Sequence, residues 1–197
     1  YTLLMQVASS TIPSALNPNL PYDLKRDLAA ISMVAVGPYL LVVHPSVPAR
    51  SARELIALAR ARPERLSYGS SGAGSAAHLA TELFNAMAKI KMLHVPYKGA
   101  GPALIDLIGG QVQMVCTSTL PALPHVRSGQ LRALAVTTAA RTRAAPDVPT
   151  VAEAASLPGY RASTWYALFA PARTAPPIIA TLHRASVQAL KNPSVVD

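Results

Sequence analysis

Apolar and polar residues follow one another in short blocks whose spacing predicts strands and helices in alternation. Runs of β-branched and apolar residues predict strands, and segments with apolar residues every three or four positions predict helices. The predicted strands cover residues 1–5, 31–36, 39–43, 66–68, 92–96, 111–116, 131–137 and 160–170. The predicted helices cover residues 51–61, 75–88, 102–108, 120–127, 150–155 and 176–190.

This order of elements predicts an α/β fold. Strands separated by helices of about ten residues are typical of βαβ units and a mainly parallel sheet. The first and last segments are expected to form one lobe, residues 1–38 with 134–197, around a second lobe at 39–133. Ligands of such sheets collect at the carboxyl ends of strands, where loops 70–75, 97–101 and 117–120 are predicted.

The loop from Tyr68 to His78 carries the strongest functional signal. It reads Tyr-Gly-Ser-Ser-Gly-Ala-Gly-Ser-Ala-Ala-His between a predicted strand and a predicted helix. Its glycines let a ligand approach the backbone, and N–H groups at the positive end of a helix dipole bind anions. A structural alternative is a tight connection in which Ser75 caps the helix.

Composition narrows the class of protein. The chain of 197 residues is 51% hydrophobic and 14% charged, which is typical of a folded domain. Its net charge of +9 is scattered and not interleaved with aromatic residues, which disfavours nucleic-acid binding. The single cysteine, Cys116, excludes an intramolecular disulfide. His44, His94, His125 and His183 lack metal-site spacing and are interpreted as structural, so no metal is expected.

Six strings in a fixed order carry a family resemblance. They are Tyr68 to Gly72 with His78-Leu79, then residues 94–99, 107–112, 131–137, 146–154 and 158–160. Together they resemble the Bug family, the extracytoplasmic solute receptors of tripartite tricarboxylate transporters. The resemblance covers essentially the whole chain.

The resemblance implies a two-lobed periplasmic binding protein, type II-like, each lobe a mainly parallel sheet flanked by helices. It implies a monomer that binds a small carboxylate (a di- or tricarboxylate, an acidic amino acid or an aromatic acid) and docks on membrane permease subunits. Neither enzymatic activity nor a cofactor is expected. By the same analogy the chain is a fragment whose first lobe is incomplete and whose signal peptide is missing.

The resemblance also assigns site residues. The carboxylate-binding loop of the second lobe matches Ser70, Ser71, Gly72, Ala73 and Gly74. Apart from the resemblance, His78 near the helix start is a candidate for the cleft, with a local cap or a packing contact as the alternative. Tyr97-Lys98-Gly99 either closes the cleft edge or forms a surface turn with a solvated Lys. In the first lobe the corresponding loop reads Ala8-Ser9-Ser10-Thr11, and Asn17-Pro18 follows the family pattern. The family often has Asp or Asn after the 111–115 strand, whereas this chain has Cys116-Thr117-Ser118. Neutral hydroxyls at that point favour an anionic or neutral solute.

Two enzymatic alternatives stay open at this stage. Residues 72–77 satisfy the G-x-G-x-x-A pattern of dinucleotide-binding loops, but the acidic residue expected about twenty positions later is absent. Lys98 stands there, so an NADP-binding oxidoreductase domain is the main alternative. A serine hydrolase using Ser70 or Ser71 lacks the last glycine of the G-x-S-x-G elbow.

Overall fold

The computed structural model describes residues 2–12 and 19–196. Eight strands are assigned in this part of the chain: β1 (Leu4–Val7), β2 (Leu28–Gly37), β3 (Tyr39–Val43), β4 (Ser67–Ser70), β5 (Leu93–Pro96), β6 (Met114–Ser118), β7 (Arg132–Val136) and β8 (Thr164–Pro171). The α-helices are α1 (Leu24–Asp27), α2 (Ala52–Ala61), α3 (Ala76–Ala88), α4 (Ala100–Ile108), α5 (Thr119–Arg127), α6 (Val151–Ala155), α7 (Pro176–Ala189) and α8 (Pro193–Val196). A 3₁₀ helix covers Ala8–Thr11.

The chain divides into two compact units, which are described separately. Unit 1 consists of Tyr1–Val36 and Thr164–Asp197, and unit 2 consists of Gly37–Ser163. Unit 1 holds a three-stranded sheet in the order β1-β8-β2, with β1 antiparallel to β8. Helix α7 joins β2 of this sheet through the His183 ring, whose Nδ1 donates to the carbonyl of Ile31 at 2.8 Å.

Unit 2 is built on a five-stranded sheet in the order β5-β4-β6-β3-β7. Strand β4 runs parallel to both β5 and β6, whereas β3 runs antiparallel to both β6 and β7. The sheet is therefore mixed, because β3 alone runs against the other four strands. The expected mainly parallel arrangement is confirmed for β5, β4, β6 and β7, which all run in the same direction.

The core of unit 2 lies on both faces of this sheet. All five residues of β3 are buried, as expected for a central strand covered on two sides. Tyr68, Phe84 and Met114 belong to a cluster on the face covered by α2 and α3. Leu40, Leu107 and Val115 belong to a second cluster that includes residues of α4 and α5.

Unit 2 ends later than the sequence predicted, at Ser163 instead of residue 133. The predicted boundary after residue 133 divided β7 between the two lobes, whereas the whole strand pairs with β3 in this sheet. Beyond β7, the buried Thr137 connects the start and the end of the unit. Its Oγ1 accepts from the N–H of Tyr39 at 2.9 Å and donates to the carbonyl of Ala162 at 2.8 Å. Its own N–H donates to the carbonyl of Tyr39 at 3.0 Å.

Among residues 2–12 and 19–196, no helix combines the length and hydrophobicity needed to span a membrane.

Candidate functional site at one edge of the unit 2 sheet

The carboxyl ends of three strands meet at one edge of the unit 2 sheet. Because β4, β5 and β6 are parallel neighbours, the segments that follow Ser70, Pro96 and Ser118 leave the sheet on the same side. This placement agrees with the expectation that loops 70–75, 97–101 and 117–120 converge. Helices α3, α4 and α5 begin just after these strands.

The starts of these three helices carry no compensating negative charge. None of α3, α4 and α5 has an acidic residue in its first turn. By contrast, α2, which follows β3 at the opposite edge of the sheet, has Glu54 in its first turn. Helix starts concentrate unpaired N–H groups and positive dipole ends, so this edge of unit 2 favours an anion.

Two glycines give the loop between β4 and α3 its shape. Gly72 has φ +130° and Gly74 has φ +74°, values that side chains beyond glycine rarely adopt. The N–H of Ser75 donates to the carbonyl of Gly72 at 3.1 Å, which closes the turn. Ser75 then caps α3, as expected, by accepting the N–H of His78 on its Oγ at 3.2 Å.

The backbone N–H groups of this loop alternate between internal and open positions. The Gly72 N–H donates to Ser70 Oγ at 3.2 Å, and the Gly74 N–H donates to His78 Nδ1 at 3.1 Å. Within the described residues, the N–H groups of Ser71 and Ala73 donate no hydrogen bond. Ser71 is half-buried and Ala73 is exposed. These two groups are therefore the loop's available donors.

Ser70 lies in β4 and is fully buried, although the sequence predicted a strand ending at residue 68 and a hydroxyl in the loop. Its Oγ contacts the Gly72 carbonyl at 3.1 Å and His94 Nε2 at 2.7 Å. Because both partners belong to the protein's own interior, the Ser70 hydroxyl holds the loop in place and does not face the solvent.

The imidazole rings of His78 and His94 stack face to face next to the loop. The centroids of His78 and His94 are 4.0 Å apart with nearly parallel planes, and Tyr68 stacks on His94 at 4.9 Å. Burial, and then the neighbouring His78, lower the pKa of His94, while Glu82 acts in the opposite direction. The sequence analysis assigned His94 a structural role. His94 lies opposite Tyr68 in the register of β5 against β4, and Tyr68 and Ser70 share one face of β4, which brings the ring to Ser70. A single sequence does not contain this register, so no sequence signal points to the contact.

The segment Tyr97-Lys98-Gly99 closes one side of the loop. The Tyr97 N–H donates to the Ser70 carbonyl at 3.0 Å, and the Tyr97 hydroxyl donates to Asp106 Oδ2 at 2.8 Å. Burial, followed by this bond to Asp106, raises the pKa of Tyr97 to about 12. Lys98 is exposed at the same edge.

Thr117 and Ser118 lie at the carboxyl end of β6. Thr117 is 2% exposed, and its Oγ1 has no hydrogen-bond partner within the described part of the chain. Ser118 occupies the N-cap position of α5, yet its hydroxyl makes no capping hydrogen bond. Both hydroxyls thus stand at the predicted edge without the internal partners that such groups usually have.

The hydroxyl groups predicted for the first lobe lie in unit 1, in the 3₁₀ helix after β1. Thr11 Oγ1 donates to the Ala8 carbonyl at 2.9 Å, and Ser10 Oγ accepts from the Val7 N–H at 3.4 Å. Ser10 and Thr11 also line a cavity of about 460 Å³ within unit 1, together with Trp165. Ser9 is half-buried. Asn17-Pro18 lies outside the described residues.

Comparison with known sequences gives one family. The sequence model of the family described as "Tripartite tricarboxylate transporter family receptor" matches residues 1–197. Protein BugT of Bordetella pertussis is 40% identical over 199 residues, which cover 100% of this chain and 61% of that protein. A Pseudomonas protein from the tcbD-tcbE intergenic region is 36% identical over 197 residues, which cover 100% of this chain and 59% of that protein.

Solved structures agree with the sequence relatives. A Rhodopseudomonas palustris protein, Rpa4515, solved with adipate, has a TM-score of 0.91 and 35% identity, with 99% of this chain and 65% of that chain covered. MatC from Rhodopseudomonas palustris, with bound malate, has a TM-score of 0.88 and 32% identity, with 98% of this chain and 66% of that chain covered. The chain thus spans about three fifths of the length of its curated relatives and about two thirds of these structures. With the family match along all 197 residues, these likenesses show that the chain belongs to the tripartite tricarboxylate transporter receptor family.

Proposed function

We propose that this chain is part of a periplasmic solute receptor that binds a small carboxylate reversibly, at the edge of the unit 2 sheet where β4, β5 and β6 end. The receptor releases the same molecule that it binds. The observation that carries the proposal is the pair of N–H groups at Ser71 and Ala73, which donate no hydrogen bond within the described structure.

The chemistry of this edge suits a carboxylate. Ser71 offers a hydroxyl beside the two backbone donors, and the α3 dipole points its positive end toward them. Hydrogen bonds from backbone N–H groups to an ionised carboxylate are stronger than neutral ones, so a cation in direct contact with the solute is not required. A neutral donor set of this kind binds an anion reversibly, as a receptor must.

Two structural neighbours support the class of solute. One is described with adipate and the other with bound malate, and both of these molecules are small dicarboxylates. Both neighbours are more than 30% identical to this chain, and the candidate edge lies inside the matched region. Permease docking and a periplasmic location follow from the family's transport role and are part of the proposal. The participation of Ser9, Ser10 and Thr11 stays a prediction from the resemblance.

The Ser70–His94 contact does not favour the hydrolase alternative. A Ser–His pair at hydrogen-bond distance is the geometry of an activated nucleophile. Here, however, the Ser70 hydroxyl is fully buried and already contacts both the N–H and the carbonyl of Gly72. A substrate carbonyl therefore has no path to this oxygen in the structure.

A thermal-unfolding screen of the full-length protein tests the proposal. The panel contains adipate, malate, tricarboxylates, acidic amino acids and aromatic acids, together with NADPH. A solute at 100 times its Kd adds about 2.7 kcal/mol to the free energy of unfolding. For a protein of this size, that increase raises Tm by several degrees. We expect a shift with at least one carboxylate. A shift with NADPH alone would instead favour the dinucleotide-binding alternative.

The Ser71→Ala variant locates the site. Losing one hydrogen bond to a charged solute group costs about 1.5–3 kcal/mol, so we expect the Kd measured by calorimetry to rise at least tenfold. Ser46→Ala is the matched control, because Ser46 lies in the turn after β3 at the opposite edge of the sheet. Equal affinities for Ser71→Ala and the wild type would show that the solute binds elsewhere.

A further inference from the structure

Resting on the proposed function, we infer that His94 is a positioning residue for the solute-binding loop, acting through the buried hydroxyl of Ser70. His94 belongs to β5 and is half-buried, so it supports the loop from the neighbouring strand. Its role is to fix the backbone that presents the donors.

The contacts form a chain from the ring to the loop. His94 Nε2 lies 2.7 Å from Ser70 Oγ, and Ser70 Oγ contacts both the N–H of Gly72 at 3.2 Å and its carbonyl at 3.1 Å. The Ser70 hydroxyl has one hydrogen to share between the Gly72 carbonyl and the ring. When His94 Nε2 carries a hydrogen and donates, the Ser70 hydrogen turns to the Gly72 carbonyl and holds that peptide group.

His78 fixes a second position in the loop, the N–H of Gly74. Its Nδ1 accepts the Gly74 N–H at 3.1 Å, so that nitrogen carries no hydrogen and the neutral ring has its hydrogen on Nε2. The two rings thus anchor Gly72 and Gly74, and the N–H groups of Ser71 and Ala73 alternate with these anchors. Side chains of two elements, β5 and α3, therefore determine where the donors point.

A protonated His94 keeps its contact, because Ser70 Oγ accepts from Nε2 while its own hydrogen turns to Gly72. The charged and titratable groups facing His94 are His78 and Glu82 from α3 and Tyr68 from β4.

Solute binding is therefore coupled to a proton. Burial and His78 keep the pKa of His94 below its ordinary value of 6.5 in the free protein. A carboxylate on the loop stabilises the imidazolium, which raises that pKa in the complex. A group whose pKa rises on binding takes up a proton, so affinity increases as the pH falls through the range between the two pKa values. At a pH above both pKa values, His94 is neutral in both states and affinity is level.

The test measures carboxylate binding to the full-length protein by calorimetry between pH 7.5 and 5.5, starting with adipate and malate. For the wild type we expect affinity to rise roughly three- to tenfold over this range, with proton uptake visible as a heat that depends on the buffer. His94→Gln keeps a polar group beside Ser70 but does not titrate. We expect it to bind within about threefold of the wild type at pH 7.5 and to lose the pH dependence.

His94→Leu removes both the hydrogen bond and the charge, and we expect its affinity to fall at least tenfold at pH 7.5. His125→Gln is the matched control, since His125 lies near the carboxyl end of α5 and contacts Gln130. A pH dependence retained in His94→Gln, or wild-type affinity in His94→Leu, would overturn the role of His94. A wild type that binds none of the carboxylates would instead refute the proposed function itself.

Discussion

At the scale of single residues, the most informative polar group is the hydroxyl of Thr117. It is buried and has no hydrogen-bond partner in the described structure, a state that costs about 1–3 kcal/mol of stability relative to a satisfied group. Among residues 2–12 and 19–196, one other buried side-chain atom lacks a partner, Asn85 Oδ1, and it lies far along α3 from the edge where the strands end. Thr117 lies at that edge, where a solute or its water could supply the missing partner.

Thr117→Val therefore has opposite expected effects on stability and binding. Replacing the hydroxyl by a methyl group removes an unsatisfied polar atom, so we expect the free energy of unfolding without solute to rise by about 1 kcal/mol. We expect the increase in Tm produced by a bound carboxylate to shrink. Chemical denaturation and thermal unfolding of the same variant measure the two quantities. A less stable Thr117→Val protein would mean that this hydroxyl already has a partner.

Residue identity alone placed Ser70 in the wrong surroundings. Ser70 was predicted as a loop donor because it follows a short apolar run, but the strand extends two residues further and buries it. His94 was predicted to be structural, and its ring does make internal contacts; the sequence did not predict that one of them is the Ser70 hydroxyl. Both outcomes depend on the register of β4 against β5, and a single sequence does not specify register between separate strands.

At the scale of elements, local signals predicted the helices well. Ser51, Ser75 and Thr150 each accept an N–H three residues ahead, as their positions before apolar periodic segments predict. The direction of β3 was not predictable in this way, because apolar content and alternation are the same for parallel and antiparallel neighbours. The sheet is mixed for a tertiary reason, the pairing of β3 with β6 and β7.

The cap of α3 offers a direct test at this scale. We expect Ser75→Ala to lower the free energy of unfolding by about 1 kcal/mol, because the His78 N–H loses its acceptor at the helix start. Ser118→Ala is the control, since Ser118 holds the same position in α5 without making the capping bond. Urea unfolding of both variants gives the comparison. Equal losses of stability in the two would show that the Ser75 hydrogen bond contributes nothing.

At the scale of the whole molecule, Thr137 determines how unit 2 begins and ends. Its hydroxyl and N–H join the first residue of β3 to the segment at Ala162, just before the chain returns to unit 1. The sequence predicted that the chain leaves one lobe and returns to it, but placed the return thirty residues too early. Recognising β7 as a strand did not reveal which sheet it joins.

Thr137→Val removes the hydrogen bonds of the Thr137 hydroxyl and leaves a side chain of nearly the same shape. We expect it to lower the free energy of unfolding by about 1–3 kcal/mol, because the buried N–H of Tyr39 and carbonyl of Ala162 lose their Thr137 partner. Thr138→Val is the neighbouring control, because the Thr138 hydroxyl donates to the nearby Ala140 carbonyl in an exposed setting. Calorimetric unfolding showing no difference between the two variants would contradict the role given to Thr137.

The strand order of unit 1 has a consequence for folding. Strand β8 is the middle strand of β1-β8-β2, so β1 and β2 pair with a strand that follows them by more than 120 residues. All strands of unit 2 lie between β2 and β8 along the chain. Pairing β2 with β8 therefore closes a very long loop, and long-range closure of this kind slows folding. The unit 1 sheet is thus expected to be completed late, after unit 2 has folded and brought the two ends of that loop closer.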